Sequence, residues 1–221
     1  MVAQPNSGAV LAVAYEDNTS ATDDIRSFQI TGGGTTWSGN TTIWAGPVAR
    51  NLGFRRVDLA GQAYSSSTEA IMVYDNEDMV TTPKFRVWDG TAWGSEQNAN
   101  NVNGDTFFMT IKFAPTRDEA ILVTYGSTGD IQAQVWNGTS WGSPTLIGND
   151  TGNGLGPDLK AVQGRAFDIR YENTSGDAVI VYADNTADPD YKIWDGTNWS
   201  ASGTNIDIAT SGQVNWITMA D

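Results

Sequence analysis

VWDGTAW (87–93) returns as VWNGTSW (135–141) and again as IWDGTNW (193–199). Each copy holds two Trp residues around an Asp-Gly or Asn-Gly pair. Such pairs tolerate positive φ at both central positions, as a type I′ hairpin turn demands. The expectation is therefore a tight two-residue turn at Asp89-Gly90, Asn137-Gly138 and Asp195-Gly196. Side chains alternate across a strand. Arg86, Trp88 and Trp93 then share one face, as do Gln134, Trp136 and Trp141, and Lys192, Trp194 and Trp199.

Working outward, the second Trp of each motif anchors a longer repeat at Trp37, Trp93, Trp141 and Trp199, with a period of about 50 residues. Upstream of each anchor lies an apolar run ending in Tyr: AVLAVAY (9–15), AIMVY (70–74), AILVTY (120–125) and AVIVY (178–182). A loop rich in Asp, Asn, Gly and Ser follows, then a short alternating strand, then the Trp hairpin. Another alternating segment precedes the apolar run in FRRVDLAG, FMTIKF and FDIRY. Four short strands per unit at this period read as a propeller blade, and no segment has the 3.6-residue apolar period of a helix. The first copy departs, with Thr31 in the place of the first Trp and GGG (32–34) in the turn.

The chain starts at strand two of a unit and ends in GQVNWITMAD, which resembles strand one. The predicted architecture is an all-β, four-bladed propeller closed by a blade shared between the termini. Its blades cover about 1–51 with 210–221, 52–104, 105–154 and 155–209, all in one domain. The same phase permits a rival, in which the last strand completes the first blade of another copy and gives a head-to-tail polymer.

Composition narrows the function. The net charge of −14, with only 12 Lys and Arg, excludes a phosphate-binding surface for nucleic acid or anionic membrane. No apolar run is long enough to span a bilayer as a helix. There is no Cys and no His, so disulfides, thiolate metal sites and the usual general base are all excluded. The expectation is a chain without catalytic residues and without an obligatory cofactor. Acidic loops, with Asp184, Asp188 and Asp190 as the densest cluster, offer hard oxygen ligands that suit Ca²⁺. None has the D-x-D-x-D-G spacing, and solvated turn residues are the plainer reading.

The Trp residues divide by recurrence. Trp37, Trp93, Trp141 and Trp199 occur in all four units and are predicted to fill the wedges between blades, with Gly90, Gly138 and Gly196 serving the turns. Trp88, Trp136 and Trp194 are absent from the first unit. With Arg86, Gln134 and Lys192 they are the candidate ligand-binding set, the indoles offering stacking faces for sugar rings.

The apolar strand, polar loop, alternating strand and Trp hairpin of AVIVYADNTADPDYKIWDGTNWS resemble the repeat β-propeller lectins, of the tachylectin and fucose-binding types. The D-G-T-x-W order is similar to the Asp-box turn of sialidases, a structural element, one residue shorter from Asp to Trp. The lectin resemblance implies non-catalytic binding of glycans outside the cell or at its surface, with several sites per chain. The four-blade count departs from those families. A structural subunit of a surface assembly or filament, self-associating by strand exchange, is the alternative, and a glycoside hydrolase a third.

Overall fold

The structure is a computed structural model. It describes residues 2–3, 8–16, 23–30, 34–46, 57–76, 81–149, 167–184, 186–201, 203–208, 214 and 216–220. The described strands form four antiparallel four-stranded sheets, each built from consecutive strands. Sheet one holds β1 (Val2–Ala3), β2 (Val10–Glu16), β3 (Asp23–Ile30) and β4 (Ser38–Gly46). Sheet two holds β5 (Val57–Gly61), β6 (Ala70–Tyr74), β7 (Lys84–Trp88) and β8 (Gln97–Asn98). Sheet three holds β9 (Thr106–Phe113), β10 (Ala120–Gly126), β11 (Asp130–Trp136) and β12 (Thr145–Asn149). Sheet four holds β13 (Phe167–Tyr171), β14 (Ala178–Tyr182), β15 (Asp190–Trp194) and β16 (Thr204–Asn205). Among the described residues no helix is long and apolar enough to cross a membrane.

The apolar runs explain how the sheets stack. A strand buried on both faces needs no polar alternation. In β6 every residue is buried: Ala70, Met72 and Tyr74 pack toward sheet one, while Ile71 and Val73 pack toward sheet three. In β10, Ala120 and Leu122 join the cluster with sheet two, and Ile121, Val123 and Tyr125 join the cluster with sheet four. Each such aliphatic side chain contributes about 1.5–3 kcal/mol on full burial. Three apolar clusters thus weld sheet one to two, two to three and three to four.

The closure expected from the sequence is not what the structure shows. Sheet one takes its edge strand from Val2–Ala3, which pairs with Val10 and Leu11. Among the described residues no apolar cluster joins sheet four to sheet one. The end sheets are correspondingly half-covered. In β14 only alternate residues are buried, and in β2 Ala14 is exposed while Leu11 is buried.

The C-terminal segment nevertheless sits where a first strand belongs. Asp58 of β5 is paired across to Val73, Thr110 of β9 to Val123 and Asp168 of β13 to Val181, so the three positions are equivalent. The Asp58 carboxylate accepts from Thr110 Oγ1 at 2.8 Å and from the Ile111 amide at 3.0 Å, tying β5 to β9. The fully buried Asp168 carboxylate accepts from the Met219 amide at 2.9 Å and pairs with Arg170 at 3.2 Å. Ile217 is buried and Val214 packs on the cluster between sheets three and four, whereas Trp216 is 61% exposed. The described residues of the tail lie on sheet four as β9 lies on sheet two, and none of them pairs in a sheet.

Candidate functional site

The three Trp motifs form one kind of local structure, and it is not the type I′ turn. Trp88 bridges directly to Trp93, Trp136 to Trp141 and Trp194 to Trp199, leaving four residues in each loop. Only the Gly has positive φ, at 100°, 90° and 92° for Gly90, Gly138 and Gly196, where a type I′ turn needs two such residues. What closes the longer loop is the Asp or Asn side chain itself. Asp89 Oδ1 accepts from the Thr91 amide at 2.8 Å, the Thr91 hydroxyl at 2.7 Å and the Ala92 amide at 2.8 Å. Asn137 Oδ1 repeats this with Thr139 and Ser140, and Asp195 Oδ1 with the Thr197 and Asn198 amides. The side chain closes the turn on itself, an Asx-type arrangement. These donors hold the Asp89 and Asp195 carboxyls below the usual carboxylate range, the Ala92 and Asn198 amides respectively being the largest cause.

The longer loop brings the paired indoles together. Ring centroids lie 5.4, 5.4 and 5.2 Å apart in the three motifs, in edge-on or tilted geometry. Their burial does not follow the division made from recurrence. Trp88 and Trp136, predicted to meet ligand, are only 7% and 4% exposed, and Trp194 is half-buried. Of the four predicted wedge fillers, Trp141 is buried, Trp93 and Trp199 are half-buried, and Trp37 is 41% exposed. The reason lies in the stack. Each second Trp packs on the sheet before it, and sheet one has no described sheet before it to receive Trp37.

Arg86, Gln134 and Lys192 occupy the same register and perform the same task. Arg86 donates to the Ile43 carbonyl of β4 at 3.0 Å, and also to the Gly94 carbonyl and the Tyr74 hydroxyl. Gln134 donates to the Asn100 carbonyl at 2.8 Å and accepts from the Asn100 amide at 2.9 Å. Lys192 donates to the Leu146 carbonyl of β12 at 3.2 Å. Each ties its sheet to the outer edge of the preceding one. Asp184 Oδ1 accepts from Thr186, Asp188 Oδ1 accepts from the Ile208 amide, and Asp190 opens β15. Among the described residues no group of three or more acidic side chains is placed to hold a metal ion, and these three Asp do not form one. Burial, with Asp184 nearby, raises the Asp190 carboxyl.

The wedges between sheets differ. Between sheets one and two lies a cleft of about 270 Å³, walled by Trp88, Trp93, Thr91 and Arg86 on one side and by Ser27, Gln29, Thr41 and Thr42 on the other. Trp93 Nε1 donates to Ser27 Oγ at 2.8 Å. Between sheets three and four lies a second cleft of about 310 Å³, walled by Trp194, Trp199, Thr197 and Asn198 against Ser143 and Thr145. Between sheets two and three the wedge is plugged. The Phe85 ring meets Trp136 at 5.5 Å and Trp141 at 5.8 Å, both edge-on, and Asn100 donates to the Trp141 and Gly142 carbonyls.

Glu119 was not singled out from the sequence, yet it props up the second cleft. Its Oε1 accepts from Arg117 Nη2 at 2.8 Å, Tyr171 OH at 3.0 Å and Trp194 Nε1 at 3.0 Å. Burial and the Glu119 charge push the Tyr171 phenol well above its ordinary value. The signal was present: an acid stands just before the apolar run at Glu69, Glu119 and Asp177.

No protein-family model and no curated protein matches this sequence. Solved structures do. The intramolecular trans-sialidase from Ruminococcus gnavus, in complex with oseltamivir carboxylate, aligns with a TM-score of 0.56 at 9% identity, over 91% of this chain and 68% of that one. The SapL1 lectin in complex with alpha methyl fucoside aligns at 0.47 and 17% identity, over 91% of this chain. The Aleuria aurantia lectin in complex with Fucalpha1-6GlcNAc aligns at 0.46 and 12% identity, over 94%. The chain spans 65% of each lectin's own length, a little under two thirds. The likeness to the trans-sialidase is one of fold alone, an all-β chain of four antiparallel four-stranded sheets.

Proposed function

We propose that the chain is a non-catalytic carbohydrate-binding module acting outside the cell or at its surface, with the two open wedges as its sites. The observation that carries this is the composition of the cleft walls. In each, an indole pair from one sheet faces hydroxyl- and amide-bearing side chains of the sheet before it. A sugar ring offers C–H faces to the indoles and hydroxyls to Thr41, Thr42 and Arg86, or to Ser143, Thr145 and Asn198. Volumes near 300 Å³ are at the small end for ligand pockets, so each cleft suits one ring rather than an oligosaccharide. Most glycoside hydrolases use a pair of carboxylates at the bond, and sialidases a Tyr nucleophile; no Asp, Glu or Tyr is among the described residues that line either cleft. The propeller fold of lectins agrees with this reading.

Titration with methyl glycosides, α-methyl fucoside first, followed by Trp emission and calorimetry, tests it. Saturable binding that Trp93→Ala weakens is expected. A flat response across fucosides, galactosides, glucosides and sialosides refutes it.

A second reading, a subunit of a head-to-tail assembly, is favoured by the half-covered faces of sheets one and four and by the exposed Trp216. Light scattering across a concentration series separates the two, since assembly raises the mass with concentration.

A further inference from the structure

Three residues hold one structural position. Ser27, Phe85 and Ala133 each lie on the third strand of their sheet, and each is paired across to a Val, namely Val13, Val73 and Val123. Each belongs to the face that meets the Trp pair of the following sheet. Where the residue is Ser27, a cleft stands open in front of Trp88 and Trp93. Where it is Ala133, packed in the apolar cluster beneath, a cleft stands open in front of Trp194 and Trp199, reached from that strand by Val135. Where it is Phe85, its ring occupies the wedge against Trp136 and Trp141. The indole pairs themselves are alike in sequence, loop length and ring separation. What differs is the side chain aimed at them.

We infer that this third-strand position is the gate of each wedge, and that it sets how many sugar sites the chain carries: two with Ser27 and Ala133 open and Phe85 closed. The inference rests on the carbohydrate reading for the ligand, but the gating itself is a packing property. Ser and Ala leave the volume of a missing side chain as space, and a wall rich in indole with nearby hydroxyls gives that space an amphipathic lining. Phe at the same place exchanges the space for aromatic contact.

The test uses the full chain, Phe85→Ser and Ser27→Phe, with α-methyl fucoside as probe and acrylamide as a quencher that needs no sugar site. Calorimetric stoichiometry is expected to rise from two to three in Phe85→Ser and to fall to one in Ser27→Phe. Quenching of Trp emission should increase in the first variant and decrease in the second. Unchanged stoichiometry and quenching in folded variants overturns the gate. If the parent chain binds no fucoside while quenching still moves in opposite directions, the gate stands and the fucoside reading fails. If Phe85→Ser does not fold, Ser27→Phe decides alone, because it fills an existing space.

Discussion

Glu119→Ala is the most informative single change in this molecule. The side chain is 7% exposed, and one carboxylate oxygen gathers a guanidinium, a phenol and an indole from two sheets. Each hydrogen bond to a charged group contributes about 1.5–3 kcal/mol, but the three share an acceptor and do not add. Breaking a buried ion pair by removing one partner costs about 3–5 kcal/mol, because the other partner keeps its desolvation cost. Here Arg117 is half-buried and can rehydrate, which lowers the figure, while Tyr171 and Trp194 lose their acceptor, which restores part of it. We expect a loss of about 3 kcal/mol in urea unfolding. For a chain of this size that is a fall of about 6–12 °C in Tm. Glu119→Gln, which keeps an acceptor but not the charge, should lose about half as much. The indole proton of Trp194 should shift in both variants. A Glu119→Ala chain within 1 kcal/mol of the parent, with that resonance unmoved, refutes the reasoning.

Acid should open the Asx-closed turns selectively. Glu172, held by the Ser175 and Thr174 amides, is lowered to about 2, and the Asp89 and Asp195 carboxyls are also lowered. A lowered folded pKa stabilises above the unfolded value and is lost as pH falls through the folded one. Protection of the Thr91 and Thr197 amides should therefore fade as pH falls below the usual carboxylate range, while that of Thr139, closed by an uncharged Asn, persists; equal loss at all three counts against it. Gly90→Ala should cost about 1–2 kcal/mol from φ 100° alone, and more because the new Cβ would meet Thr68 Oγ1. Thermal melts measure it, and a neutral result removes the positive-φ requirement. Asp168→Ala should free the tail, raising exchange of the Met219 amide and proteolysis after Trp216; unaltered exchange says that Ile217 alone holds it.

How far this was legible in the sequence follows from where each signal lives. The apolar runs ending in Tyr stand as strands, and in β6 and β10 burial on two sides erases polar alternation. The shared register of Arg86, Gln134 and Lys192 is also legible, but their acceptors are main-chain carbonyls, which leave no mark in the sequence. The turn was misread because Asp-Gly dominates the expectation for hairpins, whereas Oδ1 of Asp89, Asn137 and Asp195, accepting from the two amides after the Gly, closes a longer loop. The burial of Trp88 and Trp37 depends on what the neighbouring sheet presents, a property of pairs that one strand does not encode. The tail keeps the pattern of a first strand and occupies its place, yet it does not complete the sheet that the pattern suggested.

The middle turn carries a chemical liability its two siblings lack. Asn137 precedes Gly138, and a following residue without Cβ leaves its amide nitrogen free to attack the Asn side-chain carbonyl. Loss of ammonia through the cyclic imide yields Asp or isoaspartate. The Asp product would match Asp89 and Asp195, keep an acceptor for the Thr139 amide, and add one unit to the net charge of −14. The isoaspartate product would insert a methylene into the main chain between Trp136 and Trp141, rings now 5.4 Å apart. Intact mass and peptide mapping of aged protein should find the gain at position 137 and none in the other two Trp motifs. The repeat thus contains its own clock, one that ages the plugged wedge and leaves the two open ones untouched.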